Sequence, residues 1–216
     1  MRALIVGALL AVGMSSAGAE TEAGYREDFE QAAPGSQPNG ILVLGGDFRV
    51  EALPDVREGN QQAFAVPGQP VGDFGFVFGP RQEPPVEIKA RVWAERQGRR
   101  LPRFGIGWGG ENGLKFIVAP AARKLELYDN LTKLTEAPFV WHSGGWAALV
   151  LKIEKQKDQW MISGTVNHKR NNLSTVSISA PLKEAPRAAR ASAWAQPFAG
   201  KPIYFDDLEV NTPGQP

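Results

Sequence analysis

From residue 25 to residue 210 the apolar side chains of this chain recur at every second position, in short runs broken by Gly, Pro, Asn and Asp. A buried helical stripe needs spacings of three and four, so this rhythm writes β-strands with one face in a core and the other in water. The clearest run covers residues 86–95, where Val86, Ile88, Ala90, Val92 and Ala94 share one face and Glu87, Lys89, Arg91, Trp93 and Glu95 the other. Residues 104–108 alternate in the same way, the glycine-rich stretch 109–113 turns the chain, and residues 114–118 return as a hairpin partner. Residues 124–128 place Leu125 and Leu127 inward and Glu126 and Tyr128 outward. Between residues 146 and 166 two more strands flank a polar turn at 155–158, and further strands are expected at 189–195 and 203–210. The best helical candidate, residues 185–195, is opened by Pro186 and reads equally well as extended chain. The expectation is an all-β, single-domain antiparallel β-sandwich over residues 20–210, with both ends of the chain on one sheet and a tail at 211–216.

The first nineteen residues fall outside that pattern. Arg2 gives a positive start, residues 3–12 are uncharged and apolar, and Ala17-Gly18-Ala19 has the small-x-small form of a signal-peptidase site. Ten apolar residues are too few to cross a bilayer, which takes about 20. Residues 1–19 therefore read as a cleaved signal peptide, and the protein as exported to a periplasm or the extracellular medium. Removing them takes away Arg2 and no acid, leaving 23 basic and 23 acidic residues. A neutral chain lacks the surplus of Lys and Arg that nucleic acid or an anionic membrane would draw on, and no later stretch has the length of a membrane span. With no cysteine there is no disulfide, thiol catalyst or zinc-thiolate site, so the fold rests on buried apolar surface.

Four segments carry a family resemblance: residues 25–30 as an opening strand, residues 48–51, the Trp146-bearing strand at 146–153, and the closing Ile-Tyr-Phe-Asp-Asp-Leu-Glu-Val at 203–210. In this order they resemble the concanavalin A-like lectin/glucanase superfamily, in particular its laminin-G-like jelly rolls. One departure is a longer polar loop at 168–172 in place of a short turn. The resemblance implies a jelly-roll sandwich and allows several functions, because the superfamily houses lectins, carbohydrate-binding modules, glycosidases and lyases. It also allows a structural calcium tying the first strand to the last, for which Glu27 or Asp28 and Asp206 or Asp207 are the oxygen ligands within reach; the alternative is that Asp206 and Asp207 form a bulge or turn and the acids face water.

Catalytic constellations are weak by comparison. Glycoside hydrolysis needs two carboxyl groups roughly 5 to 9.5 Å apart, whereas Glu87 and Glu95 stand about 26 Å apart along one strand. Acids drawn from different strands remain as the rival reading. The two histidines, His142 and His168, sit in no serine-elbow pattern; His142 reads as a loop residue at a strand edge and His168 as part of a polar loop.

Sugar binding asks for aromatic faces flanked by fixed donors and acceptors. Parity sets Trp93, Tyr128 and Trp194 outward, together with Arg91, Lys115 and Arg190, and the expectation is that these six line one concave surface that recognises a polysaccharide. The three bases would favour an acidic one. Trp108, Trp146 and Trp160 fall in phase with core residues. The competing expectation for Trp93 and Trp194 is that a loop or residues 41–54 cover them. The reading is an exported, non-catalytic carbohydrate-binding domain; its rivals are a glycoside hydrolase or polysaccharide lyase of the same fold, and a cell-envelope module that docks a partner protein.

Overall fold

The computed structural model describes residues 24–57, 60–68, 72–168 and 174–213; the signal peptide expected at 1–19 lies outside them, as do residues 169–172 of the polar loop. In chain order the strands are β1 (Tyr25–Glu27), β2 (Leu42–Gly45), β3 (Arg49–Arg57), β4 (Asn60–Val66), β5 (Phe74–Gln82), β6 (Val86–Ala94), β7 (Arg103–Trp108) and β8 (Leu114–Ala119). They continue as β9 (Lys124–Asp129), β10 (Thr132–Pro138), β11 (Gly145–Gln156), β12 (Gln159–His168), β13 (Ser174–Pro181), β14 (Ala189–Gln196) and β15 (Ile203–Asn211). Among the described residues they form two antiparallel sheets. The eight-stranded sheet runs β13-β12-β11-β6-β15-β4-β3 with β1 beside β15, and the seven-stranded sheet runs β10-β9-β8-β7-β14-β5-β2. The opening and closing strands meet with Tyr25 opposite Val210 and Glu27 opposite Leu208.

The period-two residues fill the space between the sheets. Val86, Ile88, Ala90 and Val92 from β6 and Leu149, Leu151 and Ile153 from β11 face Phe104, Ile106, Phe116 and Leu127 from the other sheet. Phe48, Phe64, Phe76 and Phe205 pack edge-on and stacked, with ring centroids 5.0–6.2 Å apart. The sheets approach so closely at Gly164 that a Cβ there would lie 2.3 Å from the Phe116 ring.

Three local departures from the sequence reading have simple causes. Strand β5, between β14 and the edge strand β2, shows no apolar-polar alternation because residues 75–79 are buried on both faces. Trp146 is not a core residue: its neighbours Ala147, Leu149 and Leu151 point inward, so it points outward into a second apolar cluster. His168 is not in a loop; it ends β12 and is 1% exposed, with Nε2 accepting the His142 amide N–H at 3.1 Å and Nδ1 lying 3.0 Å from the Trp146 carbonyl. Residues 189–196 are extended, in line with the strand expected at 189–195.

Candidate functional site

The six residues expected to share one surface are divided between the two sheets. Trp93 and Arg91 are on β6 in the eight-stranded sheet, whereas Lys115 (β8), Tyr128 (β9), Arg190 and Trp194 (β14) are on the seven-stranded one. Parity sent all six away from the interior, but a sandwich has two outer faces that look in opposite directions. The single platform is therefore corrected to two separate faces.

On the eight-stranded face Trp93 is covered. It is 6% exposed and packs with Leu53, Trp146 and Tyr204, the Tyr204 ring lying 5.4 Å away at 74°. Leu53 belongs to the segment 41–54 named as a cover. Arg91 is also engaged: its guanidinium carbon lies 4.5 Å over the Trp146 ring, and Nη1 donates to Asp207 at 2.8 Å. The Trp93 indole N–H is buried and aimed at no acceptor, so it offers nothing to a ligand at the surface.

The seven-stranded face is different, because here the outward positions of the central strands are small. Gly75 on β5 and Gly105 and Gly107 on β7 carry no side chains, and the Trp194 indole, 9% exposed, packs against Gly75 and Gly107. A Cβ at Gly75 would come 2.7 Å from the indole Cε3, and one at Gly107 would come 3.3 Å from Nε1. Nε1 donates to Ser192 Oγ at 3.1 Å, which fixes the ring in its plane. Over the ring stands Lys115 Nζ, 4.7 Å from its centroid. Burial pushes the Lys115 ammonium pKa down, with Asp73 and Glu111 pulling it partly back.

Around this ring opens a groove of about 300 Å³, with Asp73, Arg103, Glu111, Lys115 and Gln196 among its polar walls and Phe74, Ile117 and Leu131 among its apolar ones. Arg103 connects it to a cluster of charges alongside: Nη2 donates to Glu126 at 2.8 Å, Nη1 to Gln196 at 3.4 Å, and Lys133 reaches Glu126 at 2.8 Å and Glu136 at 2.8 Å. Burial pushes the Glu126 carboxyl up, but the hydrogen bonds from Lys133 and Arg103 outweigh it and hold the group below its usual value. Tyr128 belongs to this cluster, its hydroxyl donating to Glu126 at 3.2 Å, with its pKa raised by burial and by that carboxylate. Arg190 ties β14 to β5 and to the turn before β2, donating to the backbone carbonyls of Gly79 and Gly40.

Of the six expected residues, the groove thus brings together Trp194 and Lys115. It adds Asp73, Arg103, Glu111 and Gln196, which the sequence reading passed over. The available signal was the pair of glycines at the outward positions of β7, where a bare strip of sheet marks a close approach.

The acids considered for calcium do not gather. Glu27 Oε1 accepts the Phe29 amide at 2.8 Å, Asp28 Oδ1 the Glu30 amide at 3.3 Å, Asp206 Oδ1 the Asp207 amide at 2.8 Å, and Asp207 pairs with Arg91. The register of β15 slips between Asp206 and Glu209 and Asp207 has φ 47°, so this segment is a bulge, although Asp206 is buried and does not face water as the alternative to calcium expects. Among the described residues no group of three or more His, Asp or Glu is placed to hold a metal ion. The His142 and His168 rings stack at 5.9 Å, and neither is among the residues that line the groove.

No protein-family model matches the sequence, and no curated protein matches it. Solved structures do share its fold. Lectin II from Ulex europaeus superposes with a TM-score of 0.58 at 8% identity, over 87% of this chain and 97% of that one. The exoplasmic/lumenal domain of VIP36, in a Ca2+/Man3GlcNAc-bound form, gives 0.55 at 8% identity over 79% and 84%. The catalytic domain of a glycoside hydrolase family 131 protein from Coprinopsis cinerea gives 0.53 at 8% identity over 87% and 93%. The chain shares with these proteins the antiparallel, two-sheet jelly-roll fold. At these identities the likeness is one of fold, and among the described residues no helix is long and apolar enough to cross a membrane.

Proposed function

We propose that this chain is an exported carbohydrate-binding domain that holds a glycan in the groove of its seven-stranded sheet. Export rests on the signal-like residues 1–19. The observation that carries the binding assignment is the Trp194 indole packed against bare glycines at the edge of a groove that Lys115, Arg103, Asp73 and Gln196 also line. A pyranose presents an apolar face of C–H groups and an edge of hydroxyls. The indole suits the first, and fixed donors and acceptors suit the second. Lectins and a glycan-bound lumenal domain among the solved structures of this fold support the reading.

A second reading has one observation in its favour: Asp73 and Glu111 line the same groove, as the two acids of a hydrolase would. Glu126, the buried carboxylate nearby, is held ionised by Arg103 and Lys133 and is unsuited to be a general acid. A glycan array with the wild-type protein and Trp194→Ala, run beside an assay for reducing-sugar release, separates the two. Binding that disappears in the variant without sugar release supports the binding domain; sugar release lost on Asp73→Asn or Glu111→Gln supports the enzyme.

A further inference from the structure

The cations on the seven-stranded face are not equivalent. Arg103 is held by Glu126 and Gln196, Lys133 by Glu126 and Glu136, Lys124 by Glu136, and Arg190 by two backbone carbonyls. Of the two cations lining the groove, Arg103 and Lys115, Lys115 is the one held by no hydrogen bond or ion pair among the described residues. Its Nζ faces the Trp194 ring, and Asp73 and Glu111 act on it only at a distance, beyond ion-pair contact. It is also half-buried, so its ammonium has given up water without gaining a hydrogen-bonded counter-ion. An ammonium over an indole face is held less strongly than one hydrogen-bonded to a carboxylate. In its present position Lys115 Nζ stands over the ring face, where a sugar would have to stack. It is paired with Gly107 on β7 and with Tyr128 on β9, so its swing is free of a side chain on the β7 side.

Resting on the glycan reading above, we propose that the ligand carries a uronic-acid carboxylate, which draws Lys115 Nζ off Trp194 and opens the indole to the sugar ring. Lys115 is then the residue that sets specificity: it covers the stacking surface until an anion of the right position removes it. Asp73 and Glu111, on the walls of the same groove, limit the charge that can enter. They repel a densely sulfated chain and tolerate one carboxylate among hydroxyl groups, to which they offer acceptors.

The test measures binding of the full chain to alginate, polygalacturonate, glucuronoxylan and hyaluronate, each beside its carboxyl-reduced form, with neutral glucans, xylan and dextran sulfate in the same series. The expected result is binding to at least one uronate polymer, loss of it on carboxyl reduction, and weakening as salt is raised. Lys115→Gln is expected to weaken that binding roughly 10- to 100-fold, Lys115→Arg to restore much of it, and both to keep the wild-type circular dichroism. Neutral glycans bound as tightly as uronates, dextran sulfate bound more tightly, or a Lys115→Gln variant that binds normally would overturn the assignment while leaving the carbohydrate-binding reading in place. Absence of binding to every glycan in the series would overturn both.

Discussion

The indole of Trp194 lies against Gly75 so closely that a single methyl group there would stand 2.7 Å from Cε3 and 2.8 Å from Cζ3. The same Cβ would also meet the Ala193 carbonyl at 2.8 Å, so both the ring and the β5–β14 ladder would have to give. Gly75→Ala should therefore cost about 1–3 kcal/mol of stability, the range for overfilling a packed site. It should also weaken glycan binding, because the ring is lifted from its plane. Denaturant titration and a binding isotherm on the same preparation check both effects; a variant with normal stability would show that the contact is not as tight as described.

Trp93 and Trp194 sit at equivalent parity on opposite sheets and should respond in opposite ways. Trp93→Ala removes the centre of the cluster with Leu53, Trp146 and Tyr204, at a cost of about 3 kcal/mol in stability, with glycan affinity of the folded protein unchanged. Trp194→Ala should abolish binding. If affinity falls with Trp93 instead, the ligand surface is on the eight-stranded sheet.

Acid should destabilise the charge cluster. Glu126 has its native pKa held below 4.5, and Glu136 is lowered to about 2 by Lys124 and Lys133. A carboxylate with a depressed native value stabilises the fold fully above its unfolded value, and that contribution disappears as pH falls toward the native one. Wild type should be more stable than Glu126→Gln at pH 7, with the difference in Tm shrinking as pH falls from about 5 to about 2. A difference independent of pH over that window would contradict the charge assignment.

Gly164, on the eight-stranded sheet, offers a control that touches the groove-bearing strand β8 only on its inward side. A Cβ at Gly164 would meet the Phe116 ring at 2.3–2.7 Å, so Gly164→Ala should cost about 1–3 kcal/mol. Glycan binding should be unaffected at temperatures where the variant is folded. Thermal melts with and without ligand distinguish this from damage to the groove.

Much of the sandwich was legible because alternation survives wherever one face of a strand is wet. The β6 run, the β7–β8 hairpin and the β1–β15 pairing all follow from it. It failed at β5, whose buried residues 75–79 carry no polar partner to mark a face, and at Trp146, where two tryptophans of the same outer cluster had been assigned to different sides. Of the site, Trp194 and Lys115 were found by parity. Arg103 and Gln196 were missed because they stand at the ends of β7 and β14, where alternation is too short to weigh one polar residue above another.

The residues alone determined which side chains leave the core, since a strand turns successive side chains to opposite faces whatever sheet it joins. Which sheet each strand joins is a matter of long-range pairing: β6 hydrogen-bonds to β11 and β15, β14 to β5 and β7, and these partners lie up to about 120 residues apart. That pairing put Trp93 under Leu53 and Trp194 on bare glycines, and so decided which of two tryptophans of like parity borders a groove.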